Sequence, residues 1–95
     1  MADRKAFQQK MEAQLDEWSA KIDVLRAKSQ KASADAKIQY QQQIEQLRDK
    51  KSRAQDKLRE LKDASEGAWE SLTGGVESAW SEFKNSVDDA MSKFR

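Results

Sequence analysis

The sequence predicts an all-α protein made of long amphipathic helix, a coiled coil whose helices self-associate or fold back on one another. Three observations predict it. The chain has no proline and three glycines, all between residues 67 and 75, so nothing punctuates it before that point. Ala, Lys, Gln, Glu, Arg and Leu dominate, and these residues lose least on entering a helix. Large apolar residues recur at spacings of three and four in the stretches from Phe7 to Leu25 and from Trp69 to Phe94, with a thinner seam between them. A mean hydropathy of -1.05 leaves little material for a globular core, which favours an extended helical architecture.

Composition divides the 95 residues in two. Residues 1–66 read as a basic, Gln/Lys-rich, heptad-like helix, and residues 67–95 as an acidic, Trp-containing helix with an eleven-residue repeat. Residues 1–62 carry fifteen Lys/Arg and ten Asp/Glu, a balance of +5; residues 63–95 carry three and seven, a balance of -4, which together give the net charge of +1. Opposite signs let the halves attract, as a steering effect that salt screens.

The first segment runs Phe7, Met11, Leu15, Trp18, Ile22 and Leu25, a narrow seam of the heptad kind. Glu17 with Lys21 and Asp23 with Arg26 stand four and three apart, adding a few tenths of a kcal/mol each to the helix. Trp18 reads as a core residue filling a helix interface. Between Lys28 and Lys37 the seam offers only Ala32 and Ala36. With no Gly, Pro or Ser-x-x-Glu box there, a continuous helix with a weakly packed middle is expected over a turn. The seam resumes through Tyr40, Ile44, Leu47, Ala54, Leu58 and Leu61, with Lys51 at an apolar position, its stem laid along the seam.

The run from Arg48 to Lys62 holds seven cations interleaved with Asp49, Asp56 and Glu60. Phosphate binding needs a coherent positive stripe, so this run reads as a salt-bridged, solvated face, and nucleic acid is not expected as a partner.

The last segment repeats: AWESLTGGVES from Ala68 to Ser78, then AWSEFKNSVDD from Ala79 to Asp89, then a truncated AMSKFR. Eleven residues in three turns match the pitch of an α-helix, so one straight helix keeps a single apolar face about 130° wide. Ala64, Gly75 and Ser86 fill one equivalent slot that is always small, which marks Gly75 as a candidate for close approach of another element. Two adjacent glycines cost about 2 kcal/mol relative to alanine in a helix interior. A kink or break is therefore expected at residues 73–75, with Gly74 and Gly75 as hinge, and since the repeat keeps its phase across them a kinked but continuous helix is favoured.

The absent residues limit chemistry. Without His or Cys there is no imidazole base, thiol nucleophile, disulfide or zinc site of the usual kind, and Thr73-Gly74-Gly75 is not followed by the Lys-Ser or Lys-Thr of a phosphate loop. No catalytic, cofactor-binding or metal-binding residue is assigned, no small-molecule substrate is implied, and the chain reads as non-enzymatic. The start, MADRKAFQQK, lacks the apolar core of a signal peptide and no apolar run could span a bilayer, so a cytoplasmic, soluble protein is expected.

From QLDEWSAKID to GAWESLTGGVESAWSEF the chain resembles the small bacterial coiled-coil proteins of unknown function. Its repeat region is similar in periodicity to the eleven-residue-repeat helices of apolipoproteins and late-embryogenesis-abundant proteins, though acidic and Trp-rich where the lipid-binding pattern is Lys-rich. The resemblance implies a stress-linked or scaffolding role without a catalytic centre. The expected interaction face is Trp18, Ile22, Leu25, Ile44, Leu47, Leu58, Leu61, Trp69, Leu72, Val76, Trp80, Phe83, Val87, Met91 and Phe94. Its first expected partner is a second copy of the chain, in a homo-oligomer. A lipid surface is the alternative, met by Trp69, Trp80, Phe83 and Phe94 as interfacial residues, and a protectant that folds only when bound or dried is the third reading.

Overall fold

The computed structural model describes residues 4–94, which form three α-helices and no strand. Helix α1 spans Arg4–Gln30, α2 spans Ala34–Lys62 and α3 spans Glu66–Lys93. The bundle measures 51 × 18 × 17 Å. A helix of this length is about 42 Å long at 1.5 Å per residue, so the three lie side by side.

The continuous helix expected across residues 28–37 does not occur. Helix α1 closes at Gln30 with short-range bonds, Lys31 N–H to Lys28 O (3.2 Å) and Ala32 N–H to Ser29 O (3.1 Å). Ser33 is then extended (φ -63°, ψ 163°), and its hydroxyl accepts the Ala36 N–H at 3.3 Å to cap α2. A serine cap suffices without a glutamate at the third position. The driving force is tertiary. A helix of this composition gains most from covering its apolar stripe, and the Ala32–Ala36 stretch, with only alanine on the seam, gives up little burial where the chain folds back.

The second break lies at residues 63–65, where no break was expected. Asp63 N–H bonds Arg59 O at 3.2 Å, Ala64 N–H bonds Leu61 O at 3.2 Å, and Ser65 (φ -68°, ψ 166°) caps α3 through the Ala68 N–H at 3.3 Å. Glu66 in the first turn and Lys93 in the last complement the helix dipole. The compositional boundary at residues 66/67 thus falls in the first turn of α3.

Helix α3 runs unbroken through Thr73, Gly74 and Gly75, so of the two alternatives expected there the helix is continuous and the break is absent. Neither glycine has positive φ, and a Cβ on either would meet nothing within 4 Å. Gly75 is therefore no close-approach site. Its equivalents in the repeat are placed differently: Ala64 lies half-buried in the turn before α3, and Ser86 is half-buried and accepts from Lys50 of α2. Val76 and Phe83, both 0% exposed, and Trp80 at 3% anchor the helix beyond the pair. Burying each such side chain is worth about 1.5–3 kcal/mol, which outweighs a glycine cost of about 2 kcal/mol.

Side-chain contacts fix the topology as up-down-up. Arg4, at the start of α1, donates to Ala64 O at 2.7 Å and Leu61 O at 3.4 Å, at the end of α2. Tyr40 near the start of α2 stacks on Phe94 at the end of α3, with centroids 4.0 Å apart. Phe7 meets Trp69 and Trp18 meets Phe83, so α1 and α3 run parallel, each antiparallel to α2.

Candidate functional site

One buried cluster takes in residues of all three helices, and it is made from the expected interaction face. Trp18, Ile22 and Leu25 come from α1, and Ile44, Leu47, Leu58 and Leu61 from α2. Trp69, Val76, Trp80, Phe83 and Val87 come from α3 and Phe94 from its C-cap, all buried; Leu72 and Met91 are half-buried and pack against them. Met11, Leu15, Ala54, Ala90 and Ser29 belong to the same buried set although the expected face omits them. The spacing already placed Met11, Leu15 and Ala54 on the seam. Ala90 occupies the position of Ala68 and Ala79 in the repeat, and Ser29 follows Ile22 and Leu25 at the same 3–4 spacing, so both signals were present. A search confined to large apolar side chains passes over them.

The three interfaces differ. Helices α2 and α3 share the most extensive close backbone contact, and α1 and α3 the least. Tyr40 stacks on Phe94 between α2 and α3, and edge-on ring pairs fill the seam between α1 and α3. There Phe7 lies edge-on to Trp69 (5.6 Å, 74°) and Trp18 edge-on to Phe83 (5.2 Å, 81°), the arrangements that ring quadrupoles favour. Trp80, 3% exposed, keeps its indole Nε1–H without an acceptor. Beside it a shallow groove of about 210 Å³ runs between α1 and α3, walled by Lys10, Gln14, Trp18, Glu77, Trp80 and Lys84. Two larger grooves lie between α1 and α2. One of about 460 Å³ includes Leu15, Ser19, Lys51 and Leu58, and one of about 400 Å³ includes Arg26, Ser29, Ile44 and Arg48. Lys51 is half-buried on the rim of the first, as its seam position anticipates.

Polar contacts clasp the ends. Arg4 donates to Leu61 O in the last turn of α2 and to Ala64 O in the turn beyond it while its guanidinium lies 4.4 Å from the Trp69 ring, a cation–π contact. At the far end Lys28 donates to Phe94 O at 3.1 Å. Cations of α1 thus complete the C-terminal ends of both other helices. Lys62 pairs with Glu12 across α1 and α2, and Lys50 reaches Glu82 (3.9 Å) and Ser86 Oγ across α2 and α3. Within the basic run Lys57 pairs with Glu60 at 3.7 Å and Arg59 with Asp56 at 3.5 Å, so several of its cations are engaged. Along α1, Glu17–Lys21 and Asp23–Arg26 stand at 3.9 Å each. These exposed pairs are worth less than about 1 kcal/mol apiece.

Among the described residues no cluster of three or more His, Cys, Asp or Glu could hold a metal ion, and no helix is long and apolar enough to cross a membrane. Val24 and Ile38, at 44% and 56%, are the exposed large hydrophobics among them. No protein-family model matches the chain, and neither a curated protein nor a solved structure shows significant similarity to it.

Proposed function

We propose that this chain is a non-enzymatic helical protein that self-associates, with a structural or scaffolding role in which the bundle seam serves as the interface. One observation carries the reading: the expected interaction face is a single buried seam contributed by three separate helices. A surface of that kind is satisfied equally by helices of its own chain or of a second copy, because the burial and the edge-on ring contacts are the same in either case. The described grooves are shallow and lined by long, solvated side chains, which suits an interface better than a substrate. The test is sedimentation velocity with circular dichroism over a wide concentration range. Self-association predicts a mass that rises with concentration while helicity stays high; a helical monomer at every concentration sinks it.

A second reading is favoured by the outer surface of α3. Gly67, Ser71, Gly74, Gly75, Ser78 and Ser81 are exposed there, opposite an aromatic-rich face. A helix with small residues on its outer face and Trp and Phe on the other suits a neutral lipid surface with packing defects, should α3 leave the bundle, while the exposed Glu70, Glu77, Glu82, Asp88 and Asp89 would repel anionic lipid. Because Trp18, Trp69 and Trp80 are already buried, their emission starts blue-shifted and is a poor reporter. Flotation with small neutral vesicles and with anionic ones decides the matter: protein left at the bottom of the gradient with both removes this reading.

A further inference from the structure

We propose that α1 is exchanged between two copies of this chain: the turn at residues 31–33 straightens, α1 and α2 become one helix, and each α1 docks on the α2–α3 hairpin of the other copy. The inference rests on the self-association reading and names its route.

Helix α1 is the element held least closely. Each described groove that spans two helices has α1 as one wall, α1 and α3 share the least close backbone contact of the three pairs, and Trp80, whose indole N–H is unpartnered, lines the groove between them. Helices α2 and α3, by contrast, share the most extensive close contact. Opening the turn at residues 63–65 would part that pair and would extend a helix into Gly67. Opening residues 31–33 leaves that pair intact.

The turn itself is made of residues that suit a helix. Lys28 to Lys37 contains no Gly or Pro, and no residue of the chain is described with positive φ, so no left-handed residue enforces the reversal. The local device that opposes helix continuation is the Ser33 cap, with its extended ψ of 163°. Ala32 and Ala36 hold the seam positions there, so a merged helix uncovers no large side chain at the junction. It would run from Arg4 to Lys62, about 88 Å at 1.5 Å per residue.

The contacts that seat α1 all reach the hairpin: Arg4 to Ala64 O and Trp69, Phe7 to Trp69, Glu12 to Lys62, Trp18 to Phe83, and Lys28 to Phe94 O. Each can form unchanged with the hairpin of a second copy. Closed monomer and exchanged dimer then differ chiefly at the turn, and concentration selects between them.

Two variants of the full chain test this at one position and its neighbour. Ala34 is the first residue of α2, where proline is favoured, and Ser33 before it already has the extended dihedrals that a following proline demands. In a merged helix the same proline would stand in the interior and break it. Ala34→Pro should therefore keep the helical monomer and lower the dimer constant by about a hundredfold or more. Ser33→Ala removes the cap and should raise it about fivefold. Each variant and the parent chain are refolded from urea at several concentrations and read by sedimentation velocity and circular dichroism. A dimer indifferent to both substitutions overturns exchange while leaving self-association standing. A parent chain that is monomeric throughout overturns both. If Ala34→Pro loses helicity, Ser33→Ala decides alone, and no increase in its dimer overturns the proposal.

Discussion

The α2–α3 hairpin and the seat of α1 are built from one kind of seam, and yet they pack differently. In the hairpin, close backbone contact is the most extensive of the three interfaces, and Tyr40 stacks on Phe94 at the end away from the turn. Around α1, aromatic rings meet edge-on, grooves of about 210–460 Å³ remain along its flanks, and one indole donor is left unpaired. The comparison teaches that the two regions differ in how much backbone they bring together and not in whether rings take part. Burial alone does not distinguish the two regions, since Leu25 on α1 is as fully covered as Leu61 on α2. What differs is the closeness of the fit, which sets how much a local change costs.

The largest expected effect comes from emptying the ring pair that joins the two regions. Phe83→Ala should lower unfolding stability by about 3–5 kcal/mol in urea titration, because Phe83 is 0% exposed and meets Trp18 edge-on. Overfilling probes the hairpin: Ala90→Leu should cost about 1–3 kcal/mol, and a neutral result would mean the close region has slack. Joint replacement of Gly74 and Gly75 by alanine should stabilise by about 1 kcal/mol per residue, raising the melting temperature. A loss instead would reveal a close neighbour at that outer face in the assembled protein. Smallest is Ser19→Leu, lining the larger of the two α1–α2 grooves described above, which should shift stability by no more than about 0.5 kcal/mol. A penalty as large as that of Ala90→Leu would erase the contrast between the regions.

Much of the interior was legible in the residue spacing. The 3–4 spacing from Phe7 to Leu25, the resumed seam from Tyr40 to Leu61 and the eleven-residue repeat from Ala68 onward together place thirteen of the fifteen face residues in the buried class, with Leu72 and Met91 at its edge. The turns were not legible in the same way. Ser33 and Ser65 carry both reversals as simple caps, but many serines in this chain sit inside helices, so neither stands out. Glycine misled in the opposite direction. Gly74 and Gly75 look like a break when helix propensity is read alone, and the apolar anchors of Val76, Trp80 and Phe83 carry the helix across them.

The sequence by itself determined that the chain is helical and which stripe of each helix is apolar, because backbone propensity and side-chain period are local properties. It determined, too, that conventional thiol and imidazole chemistry is absent, since those residues are missing. Only the tertiary structure decided that the stripe is covered by the chain's own helices, that the reversals fall at residues 31–33 and 63–65, and that α1 is the loosely seated arm. Those outcomes depend on how three stripes meet in space. A reversal costs little locally when its residues favour a helix as readily as a turn, so the burial of distant partners, and not the local sequence, selects where the chain folds back.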